Sequence, residues 1–195
     1  MTPPPTSPAD GPAHDPAATA REALARLVRD VPDFPEPGVL FKDITPLLAD
    51  HAGLRAVVDG LAAAGRDAEG RPVVDAVVGL EARGFVLAAP VALALGVGFV
   101  PVRKAGKLPG ETHEVAYALE YGEAVLQVHR DAVAPGARVL VVDDVLATGG
   151  TLAAARALVE ACGAHVHAAS LLMEISALPG RAALGDLPLH VLTTV

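Results

Sequence analysis

The residue types best suited to chemistry lie close together between Val139 and Thr151, where an apolar run leads into two acids and a loop of small residues. The acids are Asp143 and Asp144. The small residues after them are Ala147, Thr148, Gly149, Gly150 and Thr151. Glycines let the backbone approach a ligand closely, and the first N–H groups of a helix are free to bind phosphate. The pattern therefore predicts a phosphate cradle beside two carboxylates.

The same stretch excludes two common kinds of nucleotide site. A Walker loop ends in Gly-Lys-Ser or Gly-Lys-Thr, and a dinucleotide fingerprint needs G-x-G-x-x-G; neither pattern occurs in the chain. Carboxylates beside a phosphate cradle suit a ligand that also carries hydroxyl groups. A ribose with adjacent 2′ and 3′ hydroxyls can donate a hydrogen bond to each acid. The pattern therefore favours a ligand that combines a phosphate with a ribose.

Strands and helices alternate around this stretch, and the alternation predicts how it is positioned. Alternation of this kind is typical of a parallel sheet with helices on both faces, and ligands bind such sheets beyond the carboxyl ends of the strands. We therefore expect an α/β fold with its site near residues 79, 102 and 142. Strands are predicted at Val73–Gly79, Gly98–Val102, Arg138–Val142, Val166–Met173 and 189–194, and helices from about residue 17 and at 52–65, 85–95, 150–162 and 177–184.

Two segments interrupt the alternation. Residues 103–114 are polar, contain glycine and lack a period, which predicts a long loop of the kind that is usually functional or mobile. Val115–Tyr121 and Ala124–His129 flank Gly122 and predict a hairpin. Pro32, Pro35 and Pro37 end the first helix and predict an extended segment after it.

Composition restricts the class of protein. The chain has 195 residues, a formal net charge of −8, 3% aromatic residues and one cysteine. This length predicts one domain, which we place at residues 17–195, after a disordered Pro- and Ala-rich tail at 1–16. No apolar run is long enough to span a membrane, no secretory signal is evident, and a single cysteine excludes an internal disulfide. We expect a soluble cytoplasmic protein that binds neither membrane nor nucleic acid.

Four segments, which follow one another along the chain in the order of the family, resemble the type I phosphoribosyltransferases and, within them, the adenine phosphoribosyltransferase family. Asp143–Thr151 resembles the signature that binds phosphoribosyl pyrophosphate (PRPP), and Phe34–Pro46 resembles the purine-site segment. Gly79–Phe85 resembles the turn on the pyrophosphate side. Pro101–Gly110, continued by Tyr117–Gly122, resembles the mobile loop and its base. The likeness runs from about residue 20 to the C-terminus.

The resemblance implies a fold, a reaction and a cofactor. The fold would be that of the type I phosphoribosyltransferases: a mainly parallel central sheet flanked by helices, with a hairpin and flexible lid loop and an N-terminal base-binding hood. The reaction would join adenine to PRPP, giving AMP and pyrophosphate. Mg²⁺ would be held mainly by PRPP oxygens and water, with no dedicated protein ligands. The resemblance also implies a homodimer, a lid over 103–115 and a cis peptide at Glu81–Ala82.

The resemblance further implies a role for individual residues. Asp143 and Asp144 would bind the ribose hydroxyls, and Glu120 would relay a proton at adenine N7. The residues implied in catalysis are Glu120, Arg83, Arg103 and Lys107. Those implied in PRPP binding are Asp143, Asp144, Ala147, Thr148, Gly149, Gly150, Thr151, Arg83, Arg103, Lys104 and Lys107. Those implied in adenine binding are Leu40, Phe41, Lys42, Val145 and Ile175, with Leu40 and Lys42 acting through their backbone.

Several alternatives stay open at this point. Phe41 suits core packing as well as stacking on a base, the Arg103–Lys107 run suits a solvated loop, and Glu120 suits a pair with a neighbouring cation. A phosphoribosyltransferase for another purine base, such as hypoxanthine or guanine, would share the PRPP signature. A regulator that binds PRPP without catalysis would share it too, although such a protein would need a basic surface for nucleic acid.

Overall fold

A sheet of seven strands forms the centre of the computed structural model, which describes residues 15–118 and 123–195. The strands of the described chain are β1 (Arg29–Pro32), β2 (Leu40–Asp43), β3 (Ala76–Leu80), β4 (Gly98–Lys104), β5 (Thr112–Ala118), β6 (Glu123–His129), β7 (Arg138–Leu146), β8 (His165–Glu174) and β9 (Leu189–Thr194). The central sheet has the order β5-β6-β4-β3-β7-β8-β9. Neighbouring strands along β4-β3-β7-β8-β9 pair in parallel. β6 pairs antiparallel with both β4 and β5. The predicted α/β fold with a mainly parallel sheet is confirmed.

Helices cover both faces of this sheet. They are α1 (Pro16–Leu27), α2 (Thr45–Ala49), α3 (His51–Ala62), α4 (Arg83–Leu95) and α5 (Gly150–Ala161), with short 3₁₀ helices at Ala63–Gly65 and Gly180–Leu184. α1, α3 and α4 share one apolar core with alternate residues of the sheet, and α5 packs in a second core on the opposite face. Val77 and Val78 of β3 show the alternation, because one side chain enters each core. Such burial on both faces explains why β3 is apolar throughout.

The predicted long loop at 103–114 is wrong at both ends. β4 continues through Lys104, and β5 already begins at Thr112. Arg103 and Lys104 extend β4 because they pair with Gln127 and Leu126 of β6, so their backbone is satisfied in the sheet although their side chains are polar. The loop that joins β4 to β5 is therefore residues 105–111. The predicted hairpin is confirmed as β5 and β6, with Val115 opposite Leu126.

The Pro-stiffened segment after α1 forms a small sheet of its own. β1 and β2 pair antiparallel, with Val31 opposite Phe41. In the connection between them the peptide Phe34–Pro35 is cis, and Asp33 has a positive φ of 57°. The Asp33 carboxylate accepts a hydrogen bond of 2.8 Å from the Gly38 N–H, which closes the connection. This two-stranded sheet, which we call the hood, carries Phe41 on β2.

The N-terminal boundary differs by one residue from the prediction. α1 begins at Pro16, and the Asp15 side chain caps it by accepting from the Ala17 N–H at 3.0 Å. Residues 1–14 lie outside the described part, so the predicted tail stays a prediction. None of the helices in the described ranges is long and apolar enough to cross a membrane.

Candidate active site

The two acids of the predicted cradle lie at the carboxyl end of β7, beside the start of α4. Asp144 is only 5% exposed, and its Oδ2 lies 2.9 Å from Arg83 Nε, an ion-pair distance. The N–H of Arg83 is not aimed at this oxygen, which accepts no hydrogen bond from any described residue. The Asp144 N–H donates to Asp143 Oδ1 at 2.9 Å. The site thus holds a buried carboxylate that is ion-paired with Arg83 and has one oxygen with no hydrogen-bond donor among the described residues.

The surroundings of Asp143 disfavour the ionised form of its carboxyl group. Burial raises its pKa well above the usual range, and the neighbouring charge of Asp144 adds to the effect. The hydrogen bond from the Asp144 N–H and the charge of Arg83 act in the opposite direction but are outweighed. Two carboxylates this close favour a partner that donates hydrogen bonds or carries positive charge.

The small-residue loop turns directly from β7 into α5. Gly149 has φ 85° and stands at the N-cap of α5, and the helix has no acid in its first turn. Among the described residues no side chain caps this helix, so its first N–H groups point toward the loop. A cavity of about 70 Å³ lies here, lined by Asp143, Val145, Leu146, Ala147, Thr148, Gly149, Thr151, Leu152 and Leu171. The backbone therefore offers an anion site next to the two acids.

Arg83 joins the acids to the hood. Its guanidinium carbon lies 5.1 Å from the centre of the Phe41 ring, a cation–π contact. Phe34 packs edge-on against Phe41 with 5.0 Å between ring centres. Phe41 is half-buried and belongs to neither apolar core. The site thus has an aromatic side chain on the hood, which Arg83 connects to Asp144 of β7.

The other residues predicted to bind the base lie on the hood and at the ends of β7 and β8. Leu40 is exposed beside Phe41 on β2. The Lys42 ammonium is turned to Asp30 of β1, at 2.8 Å, so its side chain braces the hood. Val145 is on β7, and Ile175 follows β8, with its N–H donating to the Leu146 carbonyl at 3.0 Å.

A basic cluster lies at the ends of β3 and β4. Arg103 Nε donates to Glu81 Oε2 at 3.2 Å, and a second nitrogen of Arg103 donates to the Lys107 carbonyl at 3.2 Å. The Lys104 N–H also donates to Glu81 Oε2, at 3.0 Å. Burial alone would raise the pKa of Glu81, but these hydrogen bonds and the positive charges of Arg103 and Lys104 outweigh it and lower the pKa. Glu81 is therefore the negatively charged partner of Arg103.

Several functional contacts were missed by sequence reasoning. Glu81 had no predicted role, although it belongs to the turn whose peptide Glu81–Ala82 is cis, as expected. The side chain of Gln127 accepts from the Gly106 N–H at 2.9 Å and so anchors the loop at 105–111. An acid in a glycine turn near a basic run was the available signal for Glu81. Glu120 lies outside the described residues.

Comparison with known proteins defines the family. A family model described as "Phosphoribosyl transferase domain" matches residues 47–179. An adenine phosphoribosyltransferase of a Nocardioides species is 71% identical over 174 residues, which cover 89% of this chain and 94% of that protein. The chain belongs to the adenine phosphoribosyltransferase family. The matched range includes Arg83, Arg103 and the whole stretch from Val139 to Thr151.

Solved structures of the family have the same fold. The adenine phosphoribosyltransferase of Thermoanaerobacter pseudethanolicus has a TM-score of 0.84 and 46% identity, covering 90% of this chain and 99% of that chain. The Saccharomyces cerevisiae enzyme, solved with adenine and an imino-altritol bisphosphate, has a TM-score of 0.85 and 39% identity, with the same coverage of both chains. These likenesses confirm the expected type I phosphoribosyltransferase fold.

Proposed function

We propose that this protein transfers the 5-phosphoribosyl group from PRPP to adenine, giving AMP and pyrophosphate, a reaction of purine salvage. Membership of the family supports the reaction. The observation that carries it in this chain is the arrangement around Arg83, which contacts Asp144 on one side and the Phe41 ring on the other. A sugar held by the acids and a base stacked on Phe41 would meet at this guanidinium.

The PRPP site is assigned to the end of β7 and the start of α5. Asp143 and Asp144 accept hydrogen bonds from the 2′ and 3′ hydroxyls of the ribose. Their negative charge also stabilises the positive charge that develops on the sugar. The 5′-phosphate is bound by backbone N–H groups at the start of α5 and by two hydroxyls. These groups belong to Ala147, Thr148, Gly149, Gly150 and Thr151.

The pyrophosphate side is assigned to the basic residues. Arg83, Arg103, Lys104 and Lys107 neutralise the leaving group as the bond between C1′ and its pyrophosphate oxygen breaks. Adenine N9 forms the new bond to C1′ from the opposite face, and the proton on the base is released. In this structure Arg103 is paired with Glu81, so it must exchange that partner for pyrophosphate. Glu120 is assigned the transfer of a proton at adenine N7.

The adenine site is assigned to the space between the hood and the sheet. Phe41 stacks on one face of the ring, and Val145 and Ile175 contact the other. The backbone of Leu40 and Lys42 makes the hydrogen bonds that select an amino group over a carbonyl. A mismatch in such hydrogen bonds lowers the rate with the wrong base by roughly 10⁴- to 10⁵-fold. The loop at 105–111 closes over the site and excludes water from the reactive sugar.

Mg²⁺ is the cofactor that we propose, and the donor set suits it. Mg²⁺ prefers phosphate and water oxygens with at most one or two carboxylates, so PRPP oxygens and water would hold most of it, next to the Asp143 and Asp144 carboxylates on β7. Mg²⁺ would neutralise charge on the pyrophosphate. Arg83 and the loop cations contribute the remaining positive charge.

We also propose a homodimer in the cytoplasm. The apolar face of α1 is not available for the contact, because Ala20, Ala23 and Leu24 are buried in the chain's own core. α4 leaves Val86 49% exposed and Leu93 82% exposed. These residues are seven apart and share one face of the helix. A cytoplasmic location follows from the substrate, since a polyanion such as PRPP does not cross membranes unaided.

The proposed function is tested by mixing the purified protein with PRPP, Mg²⁺ and each purine base in turn. AMP formed from adenine, with at most traces of product from hypoxanthine or guanine, supports both the reaction and the specificity. Product from a 6-oxopurine instead would overturn the adenine assignment. If PRPP binds but no base reacts, the protein is a PRPP-binding regulator. D144N, purified in the same way, shows whether any activity comes from a contaminating enzyme.

A further inference from the structure

A buried glutamate outside the proposed active site, Glu174, forms an ion pair with Arg181, seven residues later in the chain. Glu174 ends β8 and is 8% exposed. Its two oxygens accept from Arg181 Nε at 2.7 Å and from a terminal nitrogen of Arg181 at 2.6 Å. This is the parallel, two-bond geometry in which arginine and carboxylate bind most strongly. The pair thus closes residues 174–181 into a loop.

The start of this loop is anchored by the backbone. The Ile175 N–H donates to the Leu146 carbonyl at 3.0 Å, and the Val195 N–H donates to the Glu174 carbonyl at 2.8 Å. The Ser176 N–H donates to the Val195 carbonyl at 2.9 Å. The far end has no comparable set of backbone bonds among the described residues. There the Glu174–Arg181 pair joins the short helix Gly180–Leu184 to β8.

The far end also lies against the proposed phosphate loop. A Cβ added at Gly149 would lie 2.5 Å from the Gly180 carbonyl oxygen, and one added at Gly180 would overlap the Ala147 carbonyl oxygen. The two backbones therefore approach so closely that neither glycine has room for a side chain. A movement of Gly180 would be transmitted directly to Ala147 and Gly149.

We propose that Glu174 and Arg181 are positioning residues for the phosphate loop. The pair holds Gly180 against Ala147 and Gly149, and so keeps the loop in the shape that binds the 5′-phosphate. This inference rests on the proposed function, because it needs the loop to be the phosphate site. The pair acts through the backbone and does not touch the ligand. Since Ile175 has its own anchors, the adenine side is affected much less than the phosphate side.

The experiment compares R181Q and R181K with R156Q. Arg156 is the matched control, because it also forms ion pairs, with Glu160 and Asp186, and its guanidinium approaches the Leu184 carbonyl at the other end of the same short helix. For each protein we measure kcat, KM for PRPP and KM for adenine. We also measure the Kd for ribose 5-phosphate, which carries the sugar and 5′-phosphate but neither base nor pyrophosphate.

R181Q is expected to raise KM for PRPP and Kd for ribose 5-phosphate by roughly 10- to 100-fold, the usual cost of misplacing a binding group by about 1 Å. KM for adenine should change less than about twofold, and R156Q should change no value by more than that. R181K keeps the charge but loses the two-bond geometry, so it should lie between the wild type and R181Q. Unfolding of R181Q would leave R181K as the deciding variant, compared with R156K.

Two results would overturn the inference. One is an unchanged Kd for ribose 5-phosphate in the folded arginine variants. The other is an equal rise in all constants for the Arg181 and Arg156 variants, which would show general loosening. Failure of the proposed function gives a different result, because the wild type would then make no AMP. The Kd for ribose 5-phosphate in the Arg181 variants would still test the role of the Glu174–Arg181 pair.

Discussion

Asp143 combines a charge that the proposed reaction uses with surroundings that oppose that charge. Burial and the charge of Asp144 raise its pKa, so the ionised form destabilises the empty protein. In D143N we expect a higher free energy of unfolding at neutral pH. The same variant loses hydrogen bonds from the ribose to a charged group, worth about 1.5–3 kcal/mol, so KM for PRPP should rise roughly 10- to 100-fold. Urea denaturation and steady-state kinetics measure the two effects.

The sign of the pH dependence follows from the raised pKa. Below the ordinary pKa of an aspartate, Asp143 is protonated in both the folded and the unfolded chain. As the pH rises through its raised pKa, the free energy of unfolding falls, because the folded chain gives up this proton less readily. In D143N that fall is absent. D186N is the contrasting control: a hydrogen bond from Arg156 lowers the pKa of Asp186, so this variant should not gain stability. An equal response of both variants would contradict the assignment.

Phe41 is proposed to stack on adenine, and its surroundings separate this role from core packing. The ring contacts Phe34 and the Arg83 guanidinium and is half-buried. F41L keeps an apolar side chain but removes the π face, and stacking of a base on an aromatic ring is worth about 1–3 kcal/mol. KM for adenine should rise by roughly 5- to 150-fold, with KM for PRPP within about twofold. A large loss of stability with unchanged adenine KM would assign Phe41 to packing instead.

The roles of residues could be predicted where the residues of one site lie close together in the sequence. Asp143, Asp144 and Gly149 stand within seven positions of one another, and their chemistry could be inferred from type and order. Glu81 and Arg103 are 22 positions apart, and only the fold brings their side chains together. Arg83 was assigned from the family resemblance, because nothing in its local sequence shows that it contacts both an acid and an aromatic ring.

At the scale of elements, the connection between β4 and β5 is the proposed lid. Arg103 and Gln127 bind the Lys107 carbonyl and the Gly106 N–H, respectively, whereas the Lys107 side chain is exposed. PRPP with Mg²⁺ should close the loop and slow tryptic cleavage after Lys107 at least about fivefold, as expected for a lid that is ordered by its ligand. Cleavage after Arg26, which is exposed in the last turn of α1 and is followed by Leu27, serves as the internal control. Equal protection at both sites, or none at Lys107, would contradict lid closure. Mass spectrometry of the early fragments measures both rates.

The turn from β7 into α5 depends on Gly149. A side chain there would meet both a positive φ of 85° and the Gly180 carbonyl oxygen. Gly70 has a similar φ of 79° but open space around its Cβ position. G70A should cost only the left-handed backbone, about 1–2 kcal/mol. G149A should cost more and should also abolish ribose 5-phosphate binding. Equal costs for the two variants, measured by thermal denaturation, would show that the contact with Gly180 is unimportant.

Element types were predicted better than element ends. Apolar runs identified β3, β4, β7 and β8, because both faces of a parallel sheet are buried. β4 nevertheless runs two residues further than its apolar pattern, since pairing with β6 continues where the side chains become polar. Periodicity reports on side-chain burial, whereas a strand ends where its backbone pairing ends.

At the scale of the whole molecule, alternation of strands and helices sufficed for the class of fold but not for its strand order. The order β5-β6-β4-β3-β7-β8-β9 places β3 between β4 and β7, and so brings the carboxyl ends of all three strands together. Glu81 directly follows β3, and Arg103 and Asp143 lie in the carboxyl-terminal halves of β4 and β7. The site near residues 79, 102 and 142 could be predicted, because ligands bind beyond the carboxyl ends of parallel strands. Which side chains are neighbours within the site follows from the strand order, which the sequence pattern does not show.

Within one copy of the chain, α4 leaves apolar side chains exposed to solvent. Leu93 is 82% exposed and borders a groove of about 490 Å³ whose lining includes Leu54, Val58 and Pro90. Exposed apolar patches are typical of surfaces that meet a partner, and the homodimer that we propose would bury Leu93 together with this groove. L93K should therefore produce a monomer at concentrations where the wild type is dimeric, because burying an unpaired charge at an interface is costly.

Light scattering on size-exclusion fractions measures the mass of each species. E22K, at an exposed position of α1, is the matched control for an added lysine and should stay dimeric. Because α4 begins at Arg83, loss of the dimer is also expected to raise KM for PRPP, and the rise should depend on protein concentration for a weakened dimer. A monomeric wild type would refute the homodimer, and a dimeric L93K would place its interface elsewhere than on α4.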